Sequence, residues 1–138
     1  MNDNKLQNKG IRELYKLSIE MLDELIGEAK TEISGSKLFE QMVKYIQDHI
    51  TDPNLSAGEL SERFDITPSY ISKVFKKEAG EGVLDYIHHE RIRQAKELLK
   101  SGMTVQEVAL SMGYTDARGF IRVFKRYEGI TPGQYKNM

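Results

Sequence analysis

The chain has no cysteine, and its 138 residues include only three histidines and three prolines. Without cysteine there is no disulfide and no thiolate metal site, which fits a reducing compartment. No apolar run approaches the ~20 residues of a membrane-spanning helix, and no signal peptide is visible. We therefore expect a cytoplasmic chain of one or two small domains that makes no membrane contact.

Catalytic patterns are equally scarce. The one cluster of ligand-type side chains is His88-His89-Glu90, and adjacent residues on a helix point ~100° apart, so they do not converge on one ion. No cysteine nucleophile exists, and no glycine-rich phosphate loop follows a strand. The sequence predicts a protein that is not an enzyme, with no catalytic residue, no bound metal and no cofactor.

The formal net charge of −1 argues at first against a nucleic-acid partner. Distribution matters more than the total, because the local field at a contact face is what steers a polyanion. Basic side chains concentrate on two short predicted helices, whereas acidic side chains lie mostly elsewhere. The basic residues on these two helices are Lys73, Lys76, Lys77, Arg118, Arg122, Lys125 and Arg126.

The first of these helices lies in the stretch from Ile66 to Gly80. Thr67 can accept from an unpaired backbone N–H at the helix start, and Pro68 fits the first turn because it has no N–H to lose. Helical spacing then separates an apolar face from a polar one. The apolar face holds Ile71, Val74 and Phe75, and the polar face holds Ser69, Ser72, Lys73, Lys76 and Lys77. Such a surface suits a groove lined with phosphates and base edges, but taken alone it is explained equally well as a solvated lysine face.

A second copy of this pattern favours the first interpretation. The sequence FIRVFKRYEG, residues 120–129, repeats residues 71–80 at a constant offset. The match extends upstream with a one-residue change inside a turn, where Asp65 corresponds to Gly113. Two units are too few for a solenoid. We interpret them as two helix-turn-helix units on one chain.

The remaining chain predicts further helices and no strand, so we expect an all-α fold. Residues 10–33 carry an apolar stripe that suits either a dimer or packing on the following domain. Ser34-Gly35-Ser36 should break that helix, and capping boxes are expected at Ser56–Glu59 and Thr104–Glu107. The other predicted helices span about 37–50, 57–64, 68–78, 82–100, 104–112, 116–127 and 131–135.

Over roughly residues 37–136 the chain resembles the DNA-binding domain of the AraC/XylS family of bacterial transcription regulators. Specific motifs in both units and in the helix between them carry this resemblance. They are Ser-Tyr-Ile-Ser-Lys-Val-Phe-Lys-Lys (69–77) with Gly80, Arg91-Ile92-x-x-Ala95-Lys96-x-Leu98-Leu99, Val108-Ala109 with Gly113-Tyr114-x-Asp116, and Phe120-x-Arg122-Val123-Phe124-Lys125 with Gly129-x-Thr131-Pro132-x-x-Tyr135.

The resemblance implies a connector at 1–36 and a DNA-binding domain at 37–138. Within that domain it implies helix-turn-helix units at about 56–80 and 104–129, joined by a long helix at about 82–100. Each recognition helix would enter a major groove of double-stranded DNA. The implied base-reading residues are Ser69, Ser72, Lys73, Ala117, Arg118, Ile121 and Arg122, and the residues implied nearer to phosphates are Lys76, Lys77, Lys125 and Arg126.

Family members usually carry a sensing or receiver domain as well, so we expect either a fragment of a larger regulator or a small stand-alone member. RNA polymerase and a second copy of the chain, joined through residues 10–33, are further partners to consider. The sequence departs from the family pattern at Ser61, at Asp65 and at Arg118-Gly119. A helical protein-interaction module is the competing hypothesis, but it leaves the doubled basic helix unexplained.

Overall fold

The computed structural model describes residues 34–138, which form seven helices and no strand. The predicted all-α fold, with two helix-turn-helix units joined by a long helix, is confirmed. The predicted helix at 10–33 lies outside the described residues. The helices are α1 (Gly35–Asp48), α2 (Ala57–Phe64), α3 (Pro68–Ala79), α4 (Val83–Lys100), α5 (Val105–Ser111), α6 (Ala117–Glu128) and α7 (Pro132–Lys136).

The first helix-turn-helix unit is formed by α2 and α3. Asp65 joins them in the left-handed region, at φ 53° and ψ 49°, as the turn requires. The hydroxyl of Thr67 accepts from the Tyr70 N–H, Pro68 occupies the first turn, and Gly80 ends α3 at φ 76°. These predicted start and stop signals are confirmed.

The second unit is formed by α5 and α6, with Gly113 in the turn at φ 89°. The predicted capping box at its start is complete, because Thr104 and Glu107 each accept from the other's backbone N–H. These bonds, to the Thr104 backbone first, lower the pKa of Glu107. A second complete capping box, between Thr131 and Gln134, opens α7 and was not predicted.

The start of α1 and the cap of α2 correct two predictions. Ser34 caps α1, so the helix includes Gly35 and begins two residues earlier than expected. The hydroxyl of Ser56 accepts from the Glu59 N–H at 3.1 Å, but the Glu59 carboxylate does not complete the capping box. Its Oε1 accepts instead from the Tyr45 hydroxyl at 2.9 Å, and this bond is the largest cause of the raised pKa of Tyr45.

The core is apolar and continuous between the two units, with α4 through its middle. α4 contacts α3 on one side and α5, α6 and α7 on the other. Its buried side chains are Val83, Ile87, Ile92, Ala95 and Leu99. Helical spacing from Ile87 would place Leu84 on this face, but Leu84 is 61% exposed. Val83 takes the inward position at the helix start, so the apolar stripe begins one residue earlier than the periodicity indicated.

Six aromatic side chains at helical spacing lie in the core or against it. Phe75, Phe120 and Phe124 are buried, and Phe64, Tyr86 and Tyr135 are half-buried. Tyr86 of α4 packs edge-on against Phe75 of α3 at 5.5 Å between ring centroids. The same tyrosine ring lies 6.2 Å from the ring of Phe39, so α1, α3 and α4 meet at this point.

The end of α6 rests on α4 through a small polar cluster. The Tyr127 hydroxyl donates to Asp85 Oδ1 at 2.7 Å, and the Tyr127 and His88 rings lie 5.3 Å apart. His88 Nδ1 is buried without a hydrogen-bond partner among the described residues. Burial, with a further contribution from Arg91, lowers the pKa of His88 from its ordinary 6.5.

We expect the free energy of unfolding to fall with acidification. The unfolded chain binds the His88 proton more tightly than the folded chain, so stability is complete above pH 6.5 and is lost from there toward the lower folded pKa. In His88→Gln, the free energy of unfolding measured with urea should therefore change less between about pH 7.5 and about 5.5 than it does in the parent. If the free energy of unfolding changes with pH equally in the variant and the parent, His88 is not the cause of the loss of stability.

Candidate nucleic-acid interface

The two faces of α3 divide by chemistry. Tyr70, Ile71, Val74 and Phe75 are each at most 5% exposed and hold the helix on the core. The opposite face is open to solvent and consists of Ser69, Ser72, Lys73, Lys76 and Lys77. All five side chains predicted to meet DNA from the first unit thus lie on one exposed surface.

Helix α6 repeats this division with a stronger contrast between its faces. Phe120 and Phe124 are fully buried, and four cations of the helix are exposed. The exposed cations are Arg118, Arg122, Lys125 and Arg126. Ala117 and Ile121, also predicted to face bases, are half-buried. They form the apolar edge of the basic surface, so they offer van der Waals contact rather than hydrogen bonds.

Most of these cations form no ion pair with a carboxylate among the described residues. Among residues 34–138, no carboxylate forms an ion pair with Lys76, Lys77, Arg122, Lys125 or Arg126. The acidic residues of α4 are engaged elsewhere, for example Glu90 with Arg93 at 3.0 Å. The positive charge of these five side chains is therefore available to an external anion.

Arg118 has an internal partner, and the contact is weak. Its Nη2 lies 3.4 Å from Asp116 Oδ2, while 91% of the arginine side chain is exposed. Exposed pairs of this kind contribute about 0–1 kcal/mol, so an incoming ligand can displace the contact at little cost. Asp116 has a separate structural role, because it caps α6 by accepting from the Arg118 N–H at 2.8 Å. That backbone bond is the largest cause of the lowered pKa of Asp116.

A shallow groove of about 450 Å³ runs along the start of α6. Its lining includes Tyr114 and Thr115 from the turn and the two predicted arginines of the second unit. The full lining is Tyr114, Thr115, Asp116, Arg118, Gly119 and Arg122. The fold thus brings Arg118 and Arg122 to one concave surface, whereas Lys125 and Arg126 lie beyond it toward the helix end. Thr115 is a groove residue that sequence reasoning missed; its place beside Asp116 in the turn was the available signal.

Tyr70 and Tyr114, which lie near the starts of the two recognition helices, differ in their surroundings. Tyr70 is 4% exposed and belongs to the core. Tyr114 is half-buried, with its ring 5.5 Å from the Phe120 ring, and still lines the groove. Burial raises the pKa of Tyr114 and is the largest cause of that rise. Its hydroxyl therefore stays protonated at neutral pH and can donate a hydrogen bond.

The described residues contain neither a metal site nor a membrane-spanning helix. Within residues 34–138, no group of three or more His, Asp or Glu side chains is arranged to hold a metal ion. None of the described helices combines the length and the apolar character that crossing a membrane demands. The paired basic surfaces are the candidate site.

Comparison with known proteins agrees with this geometry. A family model described as a helix-turn-helix domain matches residues 60–138. The arabinose operon regulatory protein of Escherichia coli is 33% identical over 94 residues, which cover 67% of this chain and 32% of that protein. The transcriptional regulatory protein YesN of Bacillus subtilis is 32% identical over 113 residues, covering 79% of this chain and 31% of the relative. The chain thus spans about a third of the length of these two curated relatives.

A solved structure gives the same result. The chain is similar to the C-terminal domain of the two-component response regulator yesN from Fusobacterium nucleatum, with a TM-score of 0.67 and 36% sequence identity. The similarity covers 75% of this chain and 99% of that domain. The described part of the chain therefore corresponds to nearly the whole of a regulator's C-terminal domain.

Gly119, inside α6, offers a test of this surface. A Cβ at this position would lie 3.5 Å from Tyr114 Cδ1, which is ordinary contact. Gly119→Ala should raise the free energy of unfolding by up to ~1 kcal/mol, because glycine is the poorer helix former. As a control, Gly80→Ala should lower it by about 1 kcal/mol, since that residue adopts a left-handed conformation.

Both free energies can be measured by urea unfolding. Loss of stability in Gly119→Ala would contradict the described packing against Tyr114. If the variant is more stable but binds DNA less tightly, the glycine serves close approach of the backbone to DNA.

Proposed function

Because the chain belongs to the AraC/XylS family of helix-turn-helix regulators, we propose that residues 37–138 are its DNA-binding domain. In this proposal α3 and α6 enter successive major grooves on one face of double-stranded DNA. The helix-turn-helix units span about 56–80 and 104–129, and the long helix between them spans about 82–100. Residues 1–36 act as a connector.

The observation that carries the proposal is the doubled arrangement of buried and basic faces. Each recognition helix is fixed to the core by aromatic and aliphatic side chains and presents cations on the other side. An enzyme or a protein-binding module has no need of two such helices on one chain. Duplex DNA offers two successive grooves bordered by phosphates, so it matches the repeat.

Base reading is assigned to the residues nearest the start of each recognition helix. In the first unit these are Ser69, Ser72 and Lys73. In the second unit they are Ala117, Arg118, Ile121 and Arg122. An arginine fork can meet guanine O6 and N7 together, whereas a serine hydroxyl makes a less selective bond. The second unit should therefore read guanine sharply, and the first should read its half-site more loosely.

Affinity is assigned to the cations further along each helix. Lys76 and Lys77 follow the base-reading residues in α3, and Lys125 and Arg126 occupy the matching places in α6. Contacts to phosphate oxygens fix the register of a protein on duplex DNA but carry no sequence information. These four residues should set how strongly the domain binds rather than which sequence it selects.

The wider role follows the family. We propose that the protein regulates transcription in the bacterial cytoplasm, has no catalytic activity of its own, and acts on promoters where it can contact RNA polymerase. The apolar stripe at 10–33 supports a further proposal, a homodimer formed through that segment. Deleting residues 10–33 should then lower the dimer content measured by light scattering.

Salt dependence tests the electrostatic part of the proposal. With roughly 5–7 phosphates neutralised, log affinity should fall against log salt with a slope of about −0.9 per phosphate. The affinity for a generic duplex can be measured by fluorescence anisotropy over a salt series. A helical module that binds only proteins should show no salt-sensitive binding to this duplex, and a flat profile would refute the proposal.

Two matched substitutions test the division of labour. Arg122→Ala removes a proposed guanine contact, so it should cost about 1–3 kcal/mol and relax one position of the site. Lys77→Ala removes a proposed phosphate contact, so it should weaken binding to all sequences alike. Binding-site selection from a random duplex library, run on the parent and both variants, gives the motifs.

We expect two half-sites about 10 base pairs, or ~34 Å, apart in the parent motif. An unchanged motif in Arg122→Ala would contradict the assignment of this arginine. A single half-site in the parent would contradict the two-groove proposal itself.

A further inference from the structure

Arg91 lies outside both basic faces and holds a distant loop. Its Nε donates to the carbonyl oxygen of Ile50 at 2.8 Å, and its Nη2 donates to that of Asp52 at 2.7 Å. Both acceptors belong to the α1–α2 loop, residues 49–56, about forty positions earlier in the chain. A planar guanidinium suits this task, because one rigid group can donate to two acceptors in fixed directions. The middle of α4 is thereby tied to the first unit through two charge-assisted bonds.

The same loop lies directly against the turn of the second unit. A Cβ placed on Gly113 would overlap the carbonyl oxygen of Thr51 and lie 3.0 Å from its carbonyl carbon. Backbone atoms cannot move aside as a flexible side chain can. Gly113 is therefore required by the approach of this loop as well as by its own φ of 89°.

The first unit shows that the left-handed turn alone does not demand glycine. The matching turn of that unit holds Asp65 at φ 53°. Asp tolerates this region better than most residues, so the departure from glycine is accommodated there. What distinguishes Gly113 is its contact with Thr51, which joins the two units outside α4.

The contact between the α1–α2 loop and the Gly113 turn forms a seam, and both ends of the loop are fixed to the core. Ile50 and Leu55, near the two ends of the loop, are each 5% exposed, so the loop is fixed to the core. A narrow cleft of about 240 Å³ runs along the seam, and Pro53, Arg91, Met112, Gly113, Tyr114 and Thr115 line it. Burial lowers the pKa of Arg91, and Asp52 and Tyr114 oppose that change. The arginine charge thus lies in a partly desolvated position, where its two carbonyl contacts are strengthened.

We propose that Arg91 and Gly113 are positioning residues that clamp the α1–α2 loop to α4 and to the turn of the second unit, and thereby fix the spacing and angle between α3 and α6. Neither residue belongs to the proposed DNA contacts. Their effect on binding passes through the geometry of the two helices. The clamp decides which separation of two half-sites the protein accepts.

The consequence for DNA follows from helical geometry. Each inserted base pair moves one half-site by about 3.4 Å and rotates it by roughly 35° relative to the other. A rigid pair of helices should therefore bind one spacing well and its neighbours poorly. This consequence rests on the proposed two-groove function, whereas the clamp itself can be tested without DNA.

The first experiment measures the geometry of the free protein. Since the chain has no cysteine, Glu62→Cys in α2 and Gln106→Cys in α5 introduce two unique sites for spin labels on exposed positions. Pulsed electron resonance then gives the distance distribution between the units. We expect a narrow distribution in the parent and a broader or shifted one in Arg91→Gln and in Gly113→Ala.

Matched variants control for charge and for backbone strain. Arg93→Gln removes a cation from α4 that pairs with Glu90 and Glu97 and does not bond the loop. Gly129→Ala introduces the same left-handed strain at φ 80°, with nothing within 4 Å of the added Cβ. Both controls should keep the parent distribution. Circular dichroism confirms that each protein is folded, and Arg91→Gln and Gly113→Ala test the clamp from opposite sides.

The second experiment measures affinity for duplexes whose half-sites are moved from two base pairs closer to two base pairs further apart. The parent should lose about tenfold or more when two base pairs are inserted, because one half-site must be released. The two clamp variants should bind the best spacing less tightly and lose less than about threefold across the series. If Arg91 and Gly113 only stabilise the fold, their variants should melt at a lower temperature and show the parent's dependence of affinity on half-site spacing.

The outcomes distinguish the clamp in the free protein from its role in DNA selection. Unchanged distance distributions in both clamp variants overturn the clamp. Broadened distributions with an unchanged spacing profile overturn its role in DNA selection. If the parent binds no paired site, the proposed function fails, and the distance measurement still decides the clamp.

Discussion

The shared core along α4 is the constraint on which the structure depends. One helix of eighteen residues supplies buried side chains to both helix-turn-helix units, from Val83 at its start to Leu99 near its end. A fully buried aliphatic side chain contributes roughly 1.5–3 kcal/mol. The exposed ion pairs on the same helix, such as Arg93 with Glu97, contribute about 0–1 kcal/mol each. Apolar packing, rather than exposed ion pairs, therefore holds the two units on α4.

This division leaves the surface charge free for function. Because the core does not depend on the cations of α3 and α6, those helices can present arginine and lysine side chains to solvent. The cost is local repulsion among like charges, which is modest while the side chains stay solvated. In the proposed complex the phosphate backbone relieves that repulsion, so cations that stay solvated in the free protein also attract DNA.

Local signals in the sequence predicted most of the fold. The caps at Thr67 and Thr104, the left-handed turn at Asp65 and the stop at Gly80 each depend on residues within a few positions, so spacing alone predicted them. The repeat predicted two units and placed the cations of the candidate site on two helices. Their exposure followed from helical periodicity, because buried aromatic residues fix the opposite face.

Three of the missed features share one physical cause, which is a partner that is distant in the sequence. Glu59 was expected to complete a capping box, but Tyr45, fourteen residues earlier, takes its carboxylate oxygen. Arg91 lies in the middle of α4, and nothing nearby in the sequence indicated that it donates to carbonyls of the α1–α2 loop. The groove at the start of α6 also arises from tertiary packing, since it needs Tyr114 to lie on Phe120.

The measurement that tests the central claim most directly is methylation interference on a duplex bound by this protein. Methylation of guanine N7 blocks the major groove alone, so interference reports where a recognition helix enters. The account predicts two clusters of interfering guanines about one helical turn apart on the same face of the duplex. A single cluster, or two clusters on opposite faces, would contradict the account.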